Sequence, residues 1–335
     1  MNLLKLKNGK LLDSRIYEVC SIPDYEAIAM QEEEAQKTNE TMFFQLLTEL
    51  YRFCKPGSTV LELLWTAEAQ EDQRGQIHLF LVLRMIAESR EELENRLGIV
   101  QENVLMRLQS LGFQIQEKQY EELKTTNLLP DGNAVINAVV KAEQYRMHEQ
   151  GIVPYYFVRQ MPCHSISGLH MLADALLRVQ GGAVSFQLLP DVINYEEMSA
   201  LEEFYTVLRQ INTISGYQDA LSGTVYKEYE WFHENISQPM FRYNILAMGN
   251  IWQCAALTAQ LISILKGTDN TQYQTVNLSR ESISVKRDFL YYPWNLNQKL
   301  INRYRNATIL RALQCAPKMK MLYRLPYFIF AQEAT

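Results

Sequence analysis

The sequence predicts an α+β fold of two ferredoxin-like modules, each an antiparallel sheet with helices packed on one face, the second module irregular. Three observations carry this reading. Apolar residues alternate at strand period over 61–67 and 77–85, a capped amphipathic helix follows them, and a looser echo of the same order runs from Ala183 to Ser279.

The elements of the first module follow in order. Ile16 to Ile22 reads as a leading strand and Met42 to Cys54 as the helix after it, with Glu32-Glu33-Glu34 as a solvated linker or helix start. Leu61, Leu63, Trp65 and Ala67 then share one strand face while Glu62 and Thr66 fall on the other. Ile77, Leu79, Leu81, Leu83 and Met85 repeat the pattern, and the polar segment Gln70 to Gln76 between the two runs predicts a hairpin. Ser89-Arg90-Glu91-Glu92 has the form of a capping box, in which hydroxyl and carboxylate satisfy the orphan amides of a helix start. Leu93, Leu97, Val100, Val104, Leu108 and Leu111 place one apolar stripe on that helix, Gly112 ends it, and Phe113 to Lys118 closes the module as a strand.

The second module opens with a strand through Val184, Phe186 and Leu188. Asn194 and Glu197 give a cap signal before the stripe Leu201, Phe204, Tyr205, Leu208 and Ile211. Tyr226 to Glu234 reads as helix where a strand belongs, which makes the copy irregular. Phe241, Tyr243, Ile245 and Ala247 then alternate, Ile251 to Leu265 is a nearly all-apolar helix, and Tyr273 to Leu278 is a closing strand. The resulting division is 1–130 for the first module, 131–182 for a helical connector, 183–284 for the second module and 285–335 for a basic connector.

Composition narrows the function classes. The 335 residues exceed a usual single core, and 47% apolar against 21% charged residues excludes a disordered chain. The longest apolar run, Ile251 to Leu265, is shorter than the roughly 20 residues a membrane-spanning helix needs and contains Gln253 and Gln260. It is expected to be a core helix. No signal peptide is visible at Met1 to Lys10, and the five scattered cysteines suit a reducing compartment, so a cytoplasmic location is expected.

Catalytic patterns are poor. Cys163-His164 with His170 nearby could hold zinc or supply a nucleophile, but no second ligand pair completes a metal set, and Ser165 or Ser167 reads as a cap for the helix Leu169 to Val179. His78 and His233 stand alone, His78 as a structural imidazole on a strand. Neither Gly181-Gly182 nor Pro56-Gly57-Ser58-Thr59 has phosphate-loop spacing. No catalytic, cofactor-binding or metal-binding residue is therefore assigned, and the chain is expected not to be an enzyme by itself.

Charge is distributed unevenly. Between Arg280 and Arg324 ten basic residues stand against Glu281 and Asp288, a net of +8 inside a chain of −6. Tyr291, Tyr292, Trp294, Tyr304 and Tyr323 lie among them, a composition suited to nucleic-acid backbone contact with stacking. The opposing reading sets these cations against the acidic remainder or a neighbouring subunit, with the aromatics in a core. Lys286, Arg287, Lys299, Arg303, Arg305, Arg311, Lys318 and Lys320 are the candidate nucleic-acid or partner contacts.

The order of elements, with the strand Glu62-Leu63-Leu64-Trp65, the strand end Arg84-Met85-Ile86-Ala87, the helix opened by Ser89 and Glu92, and the terminal run Arg324 to Ala334, resembles the N-terminal region of large bacterial ATPases of the VirB4 and HerA/FtsK type. The resemblance implies a docking or collar region of a ring-forming ATPase that translocates DNA or protein in conjugation, secretion or defence. It implies a homo-oligomer or a motor partner, with DNA nearby. ATPase activity would require a motor domain after Thr335, since no nucleotide-binding residue of that family has a counterpart here. The alternative is a stand-alone nucleic-acid-binding module that uses 280–324 as its footprint.

Overall fold

The computed structural model describes residues 3–5, 9–23, 32–53, 58–68, 76–119, 134–141, 144–147, 154–157, 167–191, 237–266, 273–277 and 313–315, with single positions at 123 and within 202–235. The chain is α+β. Its first strands are β1 (Leu4–Lys5) and β2 (Leu11–Ser21), followed by α1 (Glu32–Phe53), β3 (Thr59–Ala67) and β4 (Ile77–Ala87). Then come α2 (Arg90–Val100), a π-helical turn (Gln101–Leu105), α3 (Met106–Ser110) and β5 (Gln114–Lys118). The element order expected over 16–118 is present, with β2 and α1 longer at their N-terminal ends than the sequence suggests.

Local chemistry explains the boundaries. Helix α1 starts within the glutamate run, where carboxylates favour the positive end of the helix dipole. Ser89 caps α2 by accepting the Glu92 amide at 3.2 Å, and the Glu92 carboxylate accepts the Glu88 amide at 3.0 Å. The π turn widens the helix by one residue, yet Val100, Val104 and Leu108 all remain in the core. Gly112 then ends the helix with φ of +93°, a conformation open to glycine at little cost.

The second half holds a more complete copy than its sequence suggests. Strands β6 (Val135–Lys141), β7 (Gln144–Met147) and β8 (Pro154–Phe157) precede α4 (Ser167–Val179) and β9 (Ala183–Asp191). After them lie β10 (Met240–Gly249), α5 (Ile251–Lys266), β11 (Tyr273–Asn277) and β12 (Leu313–Cys315). Segment 131–182 is therefore not a helical connector. It supplies the leading strand β6 and first helix α4 of the second copy, with the β7–β8 hairpin between them. The described positions within 202–210 and 226–234 are helical and fall between β9 and β10, so the irregularity is an insertion between paired strands.

Two copies thus share one topology. In the first, the sheet order is β5, β2, β4, β3; in the second it is β11, β6, β10, β9, and every neighbouring pair is antiparallel. The copies are not separate sheets. β3 pairs antiparallel with β9, Leu61 opposite Leu188 and Leu63 opposite Phe186, making one ten-stranded sheet that β1 and β12 complete. Because adjacent antiparallel strands are related by a local two-fold axis, all four main helices lie on one face. Their residues Leu46, Leu50, Leu93, Leu97, Leu172, Leu176, Leu257 and Leu261 form a single core with Leu61, Leu63, Leu81, Phe186 and Ile245 of the sheet.

The copies also interlock. Helix α1 of the first reaches β9, where Tyr51 meets Phe241 of β10 edge to face at 5.8 Å, and α4 of the second packs on β3 and β4. The opposite face of the sheet is buried too, with Leu64, Phe80 and Val82 fully so. Strand β3 is accordingly closed on both faces, not half-buried as its alternation implies.

Leu63 lies at the centre of this shared core with no exposed surface. Leu63→Ala should lower unfolding free energy by about 2–5 kcal/mol. Because one core spans both copies, urea unfolding followed by Trp fluorescence and by far-UV circular dichroism should give coincident transitions.

Candidate functional site

The most concentrated buried chemistry lies at the seam between the copies, on the face away from the helices. Glu62 of β3 is fully buried and forms an ion pair with Arg84 of β4, itself 4% exposed. The Ser185 hydroxyl of β9 donates to the Glu62 carboxylate, and Gln187 Nε2 approaches the same oxygen at 3.4 Å. Asn244 Nδ2 of β10 donates to Gln187 Oε1 at 3.1 Å. Four adjacent strands, two from each copy, are tied by one polar chain.

Its register explains why it forms. Glu62 stands directly opposite Gln187 across the seam and opposite Val82 on β4, while Asn244 stands opposite Gln187 on the far side. A carboxylate removed from water needs a counter-charge and hydrogen bonds to offset desolvation, and these neighbours supply both. The arrangement has the chemistry of a register lock. A strand slip of one residue would move Glu62 into the apolar layer beneath the helices.

A second group sits near the outer edge of the first copy. Glu18 of β2 accepts from His78 Nδ1 at 2.8 Å and from Lys118 Nζ at 3.1 Å, and the His78 ring stacks on Phe80. Burial alone would raise the Glu18 carboxyl, but the hydrogen bonds from His78 and Lys118 outweigh it and hold it below its ordinary value. Beside it, Arg15 bridges Asp13 at 3.3 Å and Glu117 at 2.9 Å. Burial pushes the Tyr17 hydroxyl up to about 12 against the hydrogen bond from Gln101.

The third group belongs to the insertion between β9 and β10. Tyr205 is stacked between Tyr226 at 5.7 Å and His233 at 4.5 Å, and Glu202 accepts from His233 at 2.8 Å. Tyr226 donates to Glu230 at 2.7 Å, and hydrogen bonding to Tyr205 and Glu230 raises its hydroxyl above the ordinary tyrosine range. These contacts clamp the helical positions 202–205 to 226–233. Among the described residues no three metal-ligating side chains converge.

The candidate contacts Lys286, Arg287, Lys299, Arg303, Arg305, Arg311, Lys318 and Lys320 lie outside the described residues, as do Cys163 and His164. The basic stretch is nonetheless tied to the sheet at one point, because β12 pairs with the first residues of β10, Cys315 opposite Met240. Arg311 and Lys318 flank that strand in sequence. His78 is a structural imidazole, and the seam network escaped sequence reasoning because Glu62 looked like the solvent side of a half-buried strand.

The backbone also gives the sheet a polarity. β6 and β9 run parallel, since each is antiparallel to β10, and the insertions 142–166 and 192–239 follow their C-terminal ends. Both therefore leave from one end of the sheet, where β10 begins and β12 docks. No helix among the described residues is long and apolar enough to cross a membrane. No known family model matches the chain, and no curated protein matches it in sequence.

Two outcomes follow. Glu62→Leu, which leaves the Arg84 charge buried without its carboxylate, should cost about 3–5 kcal/mol, whereas Glu62→Leu with Arg84→Met should recover most of that loss in chemical denaturation. The depressed Glu18 carboxyl contributes stability that is fully present above its unfolded value of 4.5 and is lost as pH falls below it. Glu18→Gln should therefore cost about 0.5–1 kcal/mol at pH 7, a gap that narrows in parallel melts as pH falls below 4.5.

Proposed function

We propose that the chain is a docking or collar module for a ring-forming, DNA- or protein-translocating ATPase, the motor chemistry residing in a partner or in a further domain. The observation that carries this reading is the polarity of the duplicated sheet. Two insertions leave from one end, and the basic stretch, net +8 over 280–324, is anchored by β12 at the same end. A rigid scaffold that gathers its extra chain and its cations at one end is suited to positioning another molecule there. The order of elements, which resembles the N-terminal region of VirB4 and HerA/FtsK type ATPases, supports the same conclusion. Assembly as a homo-oligomer or with a motor, and a cytoplasmic location, belong to this proposal.

The cation excess between Arg280 and Arg324 favours one second reading, a nucleic-acid-binding module that acts without a motor. Fluorescence anisotropy with labelled single- and double-stranded DNA at about 50 and 200 mM salt separates the two. A docking module should bind DNA weakly, and should co-elute with a P-loop ATPase encoded in the same or the adjacent reading frame and change its ATP turnover. Tight binding that falls about 10³-fold over that salt range, with a shallower salt slope in Arg303→Ala/Arg305→Ala/Arg311→Ala, would overturn the docking reading in favour of the second.

A further inference from the structure

The two outer helices of the layer, α2 and α5, occupy equivalent places in the two copies but present different surfaces. The outward positions of α2 include Arg90, Glu91, Glu94 and Asn95. Those of α5 are Ile251, Trp252, Ala255, Ala256, Ala259 and Ser263, with no charge before Lys266 at its C-terminal end. Trp252 is 82% exposed and Ile251 67%. The expected core helix is buried on one side only, through Cys254, Leu257, Leu261 and Leu265.

The helix is held firmly enough to offer that face as a fixed surface. Asn250 Oδ1 accepts the amides of Trp252 and Gln253 at 3.0 and 2.9 Å, and Gln253 Oε1 in turn accepts the Asn250 amide at 2.7 Å. Gln253 Nε2 also donates to the carbonyl of Gln180 at the end of α4. Trp252 and Ile251 together leave a contiguous apolar patch in water whose burial would be favourable.

We infer that the outward face of α5 is a two-fold interface between two copies of this chain. Trp252, Ala256, Ala259 and Ser263 are spaced by four, three and four residues, which places them along one line of the helix. An axis passing between Ala256 and Ala259 sets Ala256 of one copy against Ala259 of the other in an antiparallel helix pair. The same axis sets each Trp252 over the other copy's Ser263, so the large residue meets a small one and the alanines allow close approach. The pattern is self-complementary.

Charge points to the same occupant. A chain of net charge −6 approaches its own copy at least cost through an uncharged face, whereas pairing α5 with an α2 face would strip water from Glu91 and Glu94 without compensation. Area sets the strength. Each tryptophan brings on the order of 150 Å² or more, and with Ile251 and the small residues wholly covered the pair buries at most roughly 1,000 Å² in total, the lower bound of a specific interface. The dimer is therefore reversible. It does not depend on the docking reading, which concerns the end of the sheet where β10 begins, whereas α5 starts at the end where β10 finishes.

The test is the mass of the full chain in solution by light scattering coupled to size exclusion. The native chain of 39.0 kDa should show the mass of two chains at about 100 μM and fall toward one chain near 1 μM. Ala256→Arg and Trp252→Glu should each be monomeric at about 100 μM while keeping the native far-UV spectrum, since both positions are exposed and an acid suits the first turn of a helix. Ser263→Arg gives the same reading if Ala256→Arg fails to fold. Asn95→Arg, on the outward face of α2, should leave the dimer intact. A native chain that stays monomeric at about 100 μM, a series growing beyond dimers, or dimers that persist in both Ala256→Arg and Ser263→Arg would overturn the proposal.

Discussion

Pairing between β3 and β9 is the constraint on which the molecule depends. It turns two four-stranded sheets into one, aligns their helices on a common face and lets α1 and α4 cross over into the neighbouring copy. Leu61, Leu63 and Trp65 on one side of that seam face the shared core, while Glu62 on the other side carries the buried ion pair with Arg84. Backbone hydrogen bonds could in principle form at several registers. The carboxylate, held by Arg84, Ser185 and Gln187, makes one register far cheaper than the next.

Much of the first copy was legible because its signals agree across levels. The alternation in β4, the Ser89 and Glu92 box and the leucine stripe of α2 and α3 each point to the same element, and Gly112 punctuates the end. The second copy was harder to read for physical reasons. β6 is apolar on both faces, with Ile136, Ala138 and Val139 all buried, so it lacks the alternation that marks a half-solvated strand. Its helix α4 then follows only after residues 142–166, and a gap of that length hides the relation between β6 and the rest of its copy. The seam network was invisible for a related reason. A glutamate in an alternating strand ordinarily marks the wet face, and only the partner strands of the other copy reveal that this one is dry.

The copies differ in a way that separates stability from surface. Their central strands and buried helix faces keep the same arrangement, while the insertions, the β12 attachment and the outward face of α5 distinguish the second copy from the first. The aromatic clamp of Tyr205, Tyr226 and His233 belongs to this added layer and holds it by stacking and carboxylate contacts, independently of the seam. A scaffold of this kind can alter one end of its sheet without disturbing the packing beneath the helices.

The position of the seam also bears on how the protein is made. The first copy is continuous from β2 to β5, but its inner edge β3 finds its partner β9 only after more than 100 further residues have been added. At about 5–20 residues per second the ribosome leaves that edge open for roughly 10 s. During this interval Leu61, Leu63 and Trp65 line a strand paired only with β4, and Glu62 and Arg84 have each other but not yet Ser185 or Gln187. The nascent chain is thus most vulnerable to wrong pairing, with a second polysome-borne copy or with a chaperone as competitor, at a strand that the finished protein buries on both faces.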